Sequence, residues 1–151
     1  MKKIFAIIAA LLAITMPLTA CSSSSDGYKD GSYRAEGKTA DEHGWKEYLV
    51  VTVEGGEITA VEFDYSNDEG LKKSEDEEYK GYMLGAGYET YPADFTQKLE
   101  DSYLEKQKGA EVDAVAGATV SSDAFKKLAA ALEDAMKKGK KDIVVVDTAA
   151  E

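Results

Sequence analysis

Hydrophobic and polar positions alternate most regularly over residues 47–65, EYLVVTVEGGEITAVEFDY. Leu49, Val51 and Val53 share one face, Gly55-Gly56 interrupts, and Val61, Phe63 and Tyr65 resume the alternation. A period of two on either side of two glycines predicts a β-hairpin with one buried face. Upstream, GSYRAEGKT adds a candidate strand at the sheet edge, with Tyr33 and Ala35 pointing inward. Further along the period lengthens. Pro92 opens a segment in which Phe95, Leu99 and Tyr103 recur every four residues, which predicts a helix ending near Gly109. Phe125, Leu128, Leu132 and Met136, flanked by Ala129 and Ala135, form the stripe of a second helix over 123–138, closed by Lys137, Lys138 and Gly139. The β-branched run DIVVVDT, residues 142–148, is an edge strand or a tail. A hairpin, then helices, then one possible last strand predicts an α+β fold: a small antiparallel sheet with helices packed on one side.

The segment between hairpin and helices is less regular. Residues 66–81 are charged, and Ser74 with Glu77 fits a capping box, which predicts a short helix through Tyr79 and Met83. GYMLGAG, residues 81–87, reads as a glycine-rich loop presenting two soft apolar side chains, Met83 and Leu84. The acidic run Glu75-Asp76-Glu77-Glu78 lacks the alternate spacing of a calcium loop and reads as a solvated face, so no metal site is expected. Trp45 is either a ligand-stacking ring or, more simply, a partly buried side chain at a strand entry.

The N-terminus changes the picture. Lys2 and Lys3 precede an apolar run, which ends in Leu18-Thr19-Ala20-Cys21. A positive start, an apolar stretch and small residues before a cleavage point mark an export signal over residues 1–20. The box ending at Cys21 resembles the bacterial lipoprotein signal, which implies a lipid on that cysteine. Cys21 is the only cysteine, so no disulfide forms within one chain. Residues 21–30 then read as a lipidated flexible tether, 31–139 as the domain, and 140–151 as the tail or edge strand. The whole chain carries a net charge of -11, and the leader holds two lysines and no acid. The exported part is therefore more acidic still, which argues against nucleic-acid partners and against charge-driven docking on anionic lipid. His43 is the sole histidine, and nothing near it forms a nucleophile–base pair, so no catalytic residue is assigned.

One stretch carries candidate chemistry. DAVAGATVS, residues 113–121, places small residues and a hydroxyl, Thr119, just ahead of the second helix. Ser121 or Ser122 is positioned to cap that helix, and a helix start with bare neighbours holds phosphate readily. Read from these residues alone, the stretch is either a capped helix start or a phosphate site. The nonapeptide resembles the D-x-x-S/T-G-A-T-x-S/T pattern of the FMN-binding domain family, with Ala116 where Ser or Thr is usual. The opening DGSYRAEG, the hairpin and the final helix follow in the family's order. The resemblance implies FMN joined through its phosphate to Thr119 by a flavin transferase. It places Asp113, Ala116, Gly117, Ala118 and Ser121 around the attachment point, and Met83 and Leu84 against the flavin ring.

Together these readings predict a lipid-anchored flavoprotein on the extracytoplasmic face of the cell membrane. It would pass electrons between upstream and downstream redox proteins, or from a quinone-linked donor. The alternative from another class is a non-redox lipoprotein that binds a ligand or partner with the same domain and no flavin.

Overall fold

The computed structural model describes residues 27–149. The leader, Cys21 and the first part of the tether lie outside the described residues. Four strands and three helices form the domain: β1 (Gly31–Gly37), β2 (Lys46–Glu54), β3 (Glu57–Ser66), α1 (Glu77–Gly85), α2 (Pro92–Lys106), α3 (Thr119–Lys138) and β4 (Val144–Val146). Strand order across the sheet is β3-β2-β1-β4.

The hairpin forms as its pattern predicts. Gly55 and Gly56 both have positive φ, +64° and +84°, the backbone that a tight two-residue hairpin turn demands. Opposite Val53 the register slips by one residue, so Val53 faces Ile58 and both point into the core. β1 pairs antiparallel with β2, and Tyr33 and Ala35 are buried as expected. It is an interior strand rather than an edge, because the chain returns after α3 and lays β4 parallel along its other side. The fold is α+β, with a mixed sheet in place of a purely antiparallel one.

The helices cover one face. Phe95, Leu99 and Tyr103 of α2, with Phe125, Leu128, Leu132 and Met136 of α3, pack on Leu49, Val51, Val53 and Phe63. Phe125 stands edge-on to both Phe63 and Tyr103, at centroid distances of 5.1 and 5.5 Å. At about 25 cal/mol per Å² of apolar surface removed from water, this shared face is the fold's main source of hydrophobic stabilisation. The opposite face is polar: Glu36 is held by Arg34 and Lys46, and Glu62 by Lys72 and the Tyr48 hydroxyl. α2 ends at Gln107, whose left-handed backbone (φ +60°) turns the chain ahead of Gly109.

Two segments differ from the pattern-based reading. GYMLGAG is not a loop at its start: residues 81–85 complete α1, and only Met83 of that stretch is buried. The cap of α1 is Asp76, whose carboxylate accepts the Tyr79 N–H at 2.9 Å, in place of the Ser74–Glu77 box. Residues counted with the tether are also fixed to the domain: the Lys29 N–H bonds the Met136 carbonyl at 2.9 Å, and the Tyr28 hydroxyl donates to the Gln107 carbonyl at 3.2 Å.

Candidate functional site

The local chemistry of residues 115–122 sets the site. The Ala118 N–H bonds the Val115 carbonyl at 3.0 Å, closing a tight turn with Gly117 third in it. Gly117 has φ +80°, and a β-carbon there would stand 3.1 Å from Thr90 Cγ2. A turn of this hand at the third position takes glycine, since other side chains are strained there. α3 begins directly after this turn at Thr119, four residues earlier than its apolar stripe implies. Neither serine caps it. Ser122 is fully buried, and its hydroxyl donates to the Ala118 carbonyl at 2.8 Å and accepts the Val115 N–H at 3.0 Å. It therefore clamps the turn from inside the helix. Ala118 occupies the cap position with no side-chain oxygen to offer, and no acid stands in the first turn. The leading N–H groups of α3 thus have no capping side chain and no acid of their own turn, and the helix dipole adds partial positive charge there.

This helix start opens on a cleft of about 670 Å³. Gly117, Ala118, Thr119, Val120 and Ser121 form one wall. Tyr65, Tyr79, Met83 and Phe95 supply an aromatic and apolar wall, and Thr39–Asp41, Glu47 and Thr148 close the rim. The volume lies within the range of small-molecule sites, roughly 300–1,000 Å³. Thr119 is exposed at this mouth, and its neighbour Val120 is 72% exposed.

Inside the cleft stands a buried cation, Lys73, on a single helical turn between β3 and α1. Its ammonium lies 4.4 Å from the Tyr79 ring centroid, 5.0 Å from Tyr65 and 5.9 Å from Trp45. Asp41 Oδ2 is 3.5 Å away. Asp41 is itself fixed, since its other oxygen accepts the N–H groups of His43 and Trp45, each at 2.9 Å. Asp64, also buried, holds the Lys73 turn to β3 by accepting from the Ser74 hydroxyl and the Ser74 N–H, and it also accepts the neighbouring Tyr65 N–H. Burial raises the Tyr65 hydroxyl above its usual pKa of 10.0. The neighbouring Ser121 side chain works against this shift, and the nearby Glu47, Asp41 and Asp64 add to it. Tyr65 therefore presents a protonated hydroxyl to the cleft. Glu47 is buried on the rim and accepts from the Thr148 hydroxyl.

The structure brings together Gly117, Ala118, Thr119, Ser121 and Met83 of the residues singled out in the sequence. It does not bring the others to them. Asp113 and Ala116 line a separate groove of about 510 Å³ against Lys98, Asp101, Ser102 and Glu105 of α2. The turn at Gly117 swings the chain between the two grooves, so the two halves of one nonapeptide face different spaces. Leu84, 48% exposed, lies on the outer side of α1, because a helix turns adjacent residues about 100° apart and Met83 takes the inner side. Trp45 is a buried side chain at the start of β2, and it reaches the site only through Lys73. Among the described residues no cluster of metal-ligand side chains occurs.

Sequence reasoning missed Lys73, Tyr65, Tyr79 and Phe95 as site residues. Tyr65 and Phe95 read from their periodicity as core residues, and they belong to the core as well. Lys73 sits in a charged run that reads as surface, and no spacing distinguishes it. The Asp41-to-Trp45 stretch does carry a signal: an Asp four residues before Trp, with Gly44 between them, is turn chemistry.

The residues present fit FMN. The aromatic and apolar wall suits a planar ring, and the bare helix start suits a phosphate. An α+β domain with such a cleft at the start of its longest helix is a small cofactor-binding domain. A profile of the FMN-binding domain family matches residues 44–134, and the chain belongs to that family. It is similar to the "15 kDa lipoprotein" of Treponema pallidum, 40% identical over 134 residues that cover 89% of this chain and 93% of the relative. Among solved structures, a Clostridium perfringens protein is 36% identical with a TM-score of 0.74, covering 80% of this chain and 98% of its own. A solution structure from Clostridium thermocellum is 29% identical with a TM-score of 0.47, covering 71% and 92%.

Proposed function

We propose that this chain is a lipid-anchored extracytoplasmic electron carrier whose FMN is joined through its phosphate to the Thr119 hydroxyl. The observation that carries the reading is the position of Thr119: an exposed hydroxyl, first residue of an uncapped helix, at the mouth of an aromatic cleft, in a chain of the FMN-binding domain family. Its exposure leaves room for a flavin transferase, and the small residues at 116–118 keep the approach clear. FMN, once attached, supplies reversible uptake and release of electrons. The chain's own residues do the rest. The first turn of α3 would hold the phosphate, Tyr65 and Met83 would flank the ring, and Tyr65 would offer it a protonated hydroxyl. Asp113, in the neighbouring groove, falls outside the cleft and suits recognition by the transferase better than contact with the ring.

Anchoring rests on the Cys21 box and on the likeness to a protein named as a lipoprotein. Among the described residues no helix is long and apolar enough to cross a membrane. Residues 28 and 29 are fixed beside the C-terminal end of α3, whereas the cleft lies at its N-terminal end. A 20-residue helix is about 30 Å long, so the point where the tether joins the domain and the cleft lie at opposite ends of α3, which leaves the cleft free to face a partner outside the membrane.

The test is coexpression of the full chain with a flavin transferase, followed by denaturation, flavin fluorescence and intact mass. The expected wild-type product is yellow-fluorescent and heavier by FMN less one water. Thr119→Ala should lack both signals while melting at the wild-type temperature. A colourless wild-type chain at the bare polypeptide mass would sink the covalent carrier and favour a lipoprotein that uses the cleft for another ligand.

A further inference from the structure

Lys73 is more than nine-tenths buried, yet among the described residues it has one carboxylate partner, at 3.5 Å. A buried ammonium has three N–H donors to satisfy, and burial without good partners is costly. Here the fold spends side chains on keeping the charge inside. Tyr79, Tyr65 and Trp45 surround the ammonium with ring faces at 4.4 to 5.9 Å, and Asp64 fastens the backbone of its turn to β3 through Ser74. Lys73 also lines the cleft, so donors that Asp41 leaves unused have a ligand space beside them.

The geometry points to Lys73 as the donor that recognises the carbonyl-bearing edge of the flavin ring within this cleft. This rests on the reading of the cleft as a flavin site. The choice of ring over phosphate follows from the surroundings. A phosphate already has the leading N–H groups of α3, and it would gain nothing from the rings of Tyr65 and Tyr79. A flat heteroaromatic ring fills that apolar wall, and its polar edge carries carbonyl oxygens that accept from a desolvated ammonium. A charge-assisted hydrogen bond in a dry site is roughly twice as strong as a neutral one. Selectivity should therefore depend on Lys73: rings with the carbonyl edge bind, and apolar rings of the same size do not.

The test uses full-length chain made without a transferase, titrated with FMN and with riboflavin and followed by flavin fluorescence. Lys73→Met, which keeps most of the stem and removes the charge, should weaken both ligands by a similar factor of about ten or more. A loss confined to FMN would assign Lys73 to the phosphate and overturn the inference, as would unchanged affinity for both. Should the variant not fold, the wild-type chain answers directly: the side-chain NMR signals of Lys73 should shift on adding riboflavin, and no shift overturns the inference. Wild-type chain that binds riboflavin without involving Lys73 leaves the flavin site standing. Wild-type chain that binds neither flavin and stays colourless with the transferase removes both.

Discussion

Ser122→Ala tests the physical account of how Thr119 is presented. The Ser122 hydroxyl makes two hydrogen bonds in a fully buried position, to the Ala118 carbonyl and from the Val115 N–H. Removing it affects the two partners unequally. The Ala118 carbonyl keeps the Ser122 N–H at 2.9 Å, so it stays paired. The Val115 N–H loses its acceptor in a half-buried turn. One intramolecular hydrogen bond is worth about 1 kcal/mol, and a stranded donor costs about 1–3 kcal/mol. The expected loss is therefore about 1.5–3 kcal/mol, or roughly 6–12 °C in melting temperature for a domain of this size. Thermal unfolding by circular dichroism reads this directly, with Thr119→Ala as the control. Thr119 is exposed, so its truncation should stay within about 0.5 kcal/mol. Attachment should respond in the opposite sense: Thr119→Ala removes it outright, while Ser122→Ala slows it by loosening the turn. A Ser122→Ala melt within about 2 °C of wild type would refute the clamp, and with it the role of a buried serine in holding the turn at residues 115–118.

Further expectations concern the anchor and the response to acid. Cys21→Ser should release the domain from the membrane fraction of cells that export it; a variant that sediments with membranes as firmly as the parent places the anchor elsewhere. Glu36 titrates below its ordinary value of 4.5 because Arg34 and then Lys46 bond its carboxylate, and Glu62 does so because of Lys72 and Tyr48. Both have folded pKa values below the unfolded ones, so their stabilisation is fully present above pH 4.5 and is lost as pH falls through the folded values. Glu100 runs the other way, since burial raises it, and its protonation returns some stability as pH drops toward 4.5. Melting temperature should accordingly fall mainly below pH 4.5, and Glu36→Gln should flatten that limb. Superimposable acid limbs for wild type and Glu36→Gln would remove Glu36 from the account.

The hairpin and the two long helices were legible because their causes are local. Alternation at Leu49, Val51 and Val53, two glycines in a turn, and a four-residue apolar step each act between near neighbours, whatever surrounds them. The nonapeptide at 113–121 was legible for a related reason: its spacing is contiguous, so Gly117 and Thr119 can be found without knowing where they point. What tertiary structure decided is direction and company. Met83 and Leu84 are adjacent in sequence, and the phase of α1 sends one into the cleft and the other outward. Asp113 and Thr119 belong to one nonapeptide, and the turn at Gly117 sends them to separate grooves. Ser122 fits the pattern of a cap, yet α3 starts three residues before it, so its hydroxyl reaches back to fasten the turn instead. Lys73 is the clearest case. In the sequence it belongs to a charged surface run. The fold buries it, because Asp64 ties its turn to β3 and because Trp45, Tyr65 and Tyr79, from three different segments, converge around one ammonium. A linear pattern records which face a residue takes on its own element; only the packing of elements against one another settles what that face meets.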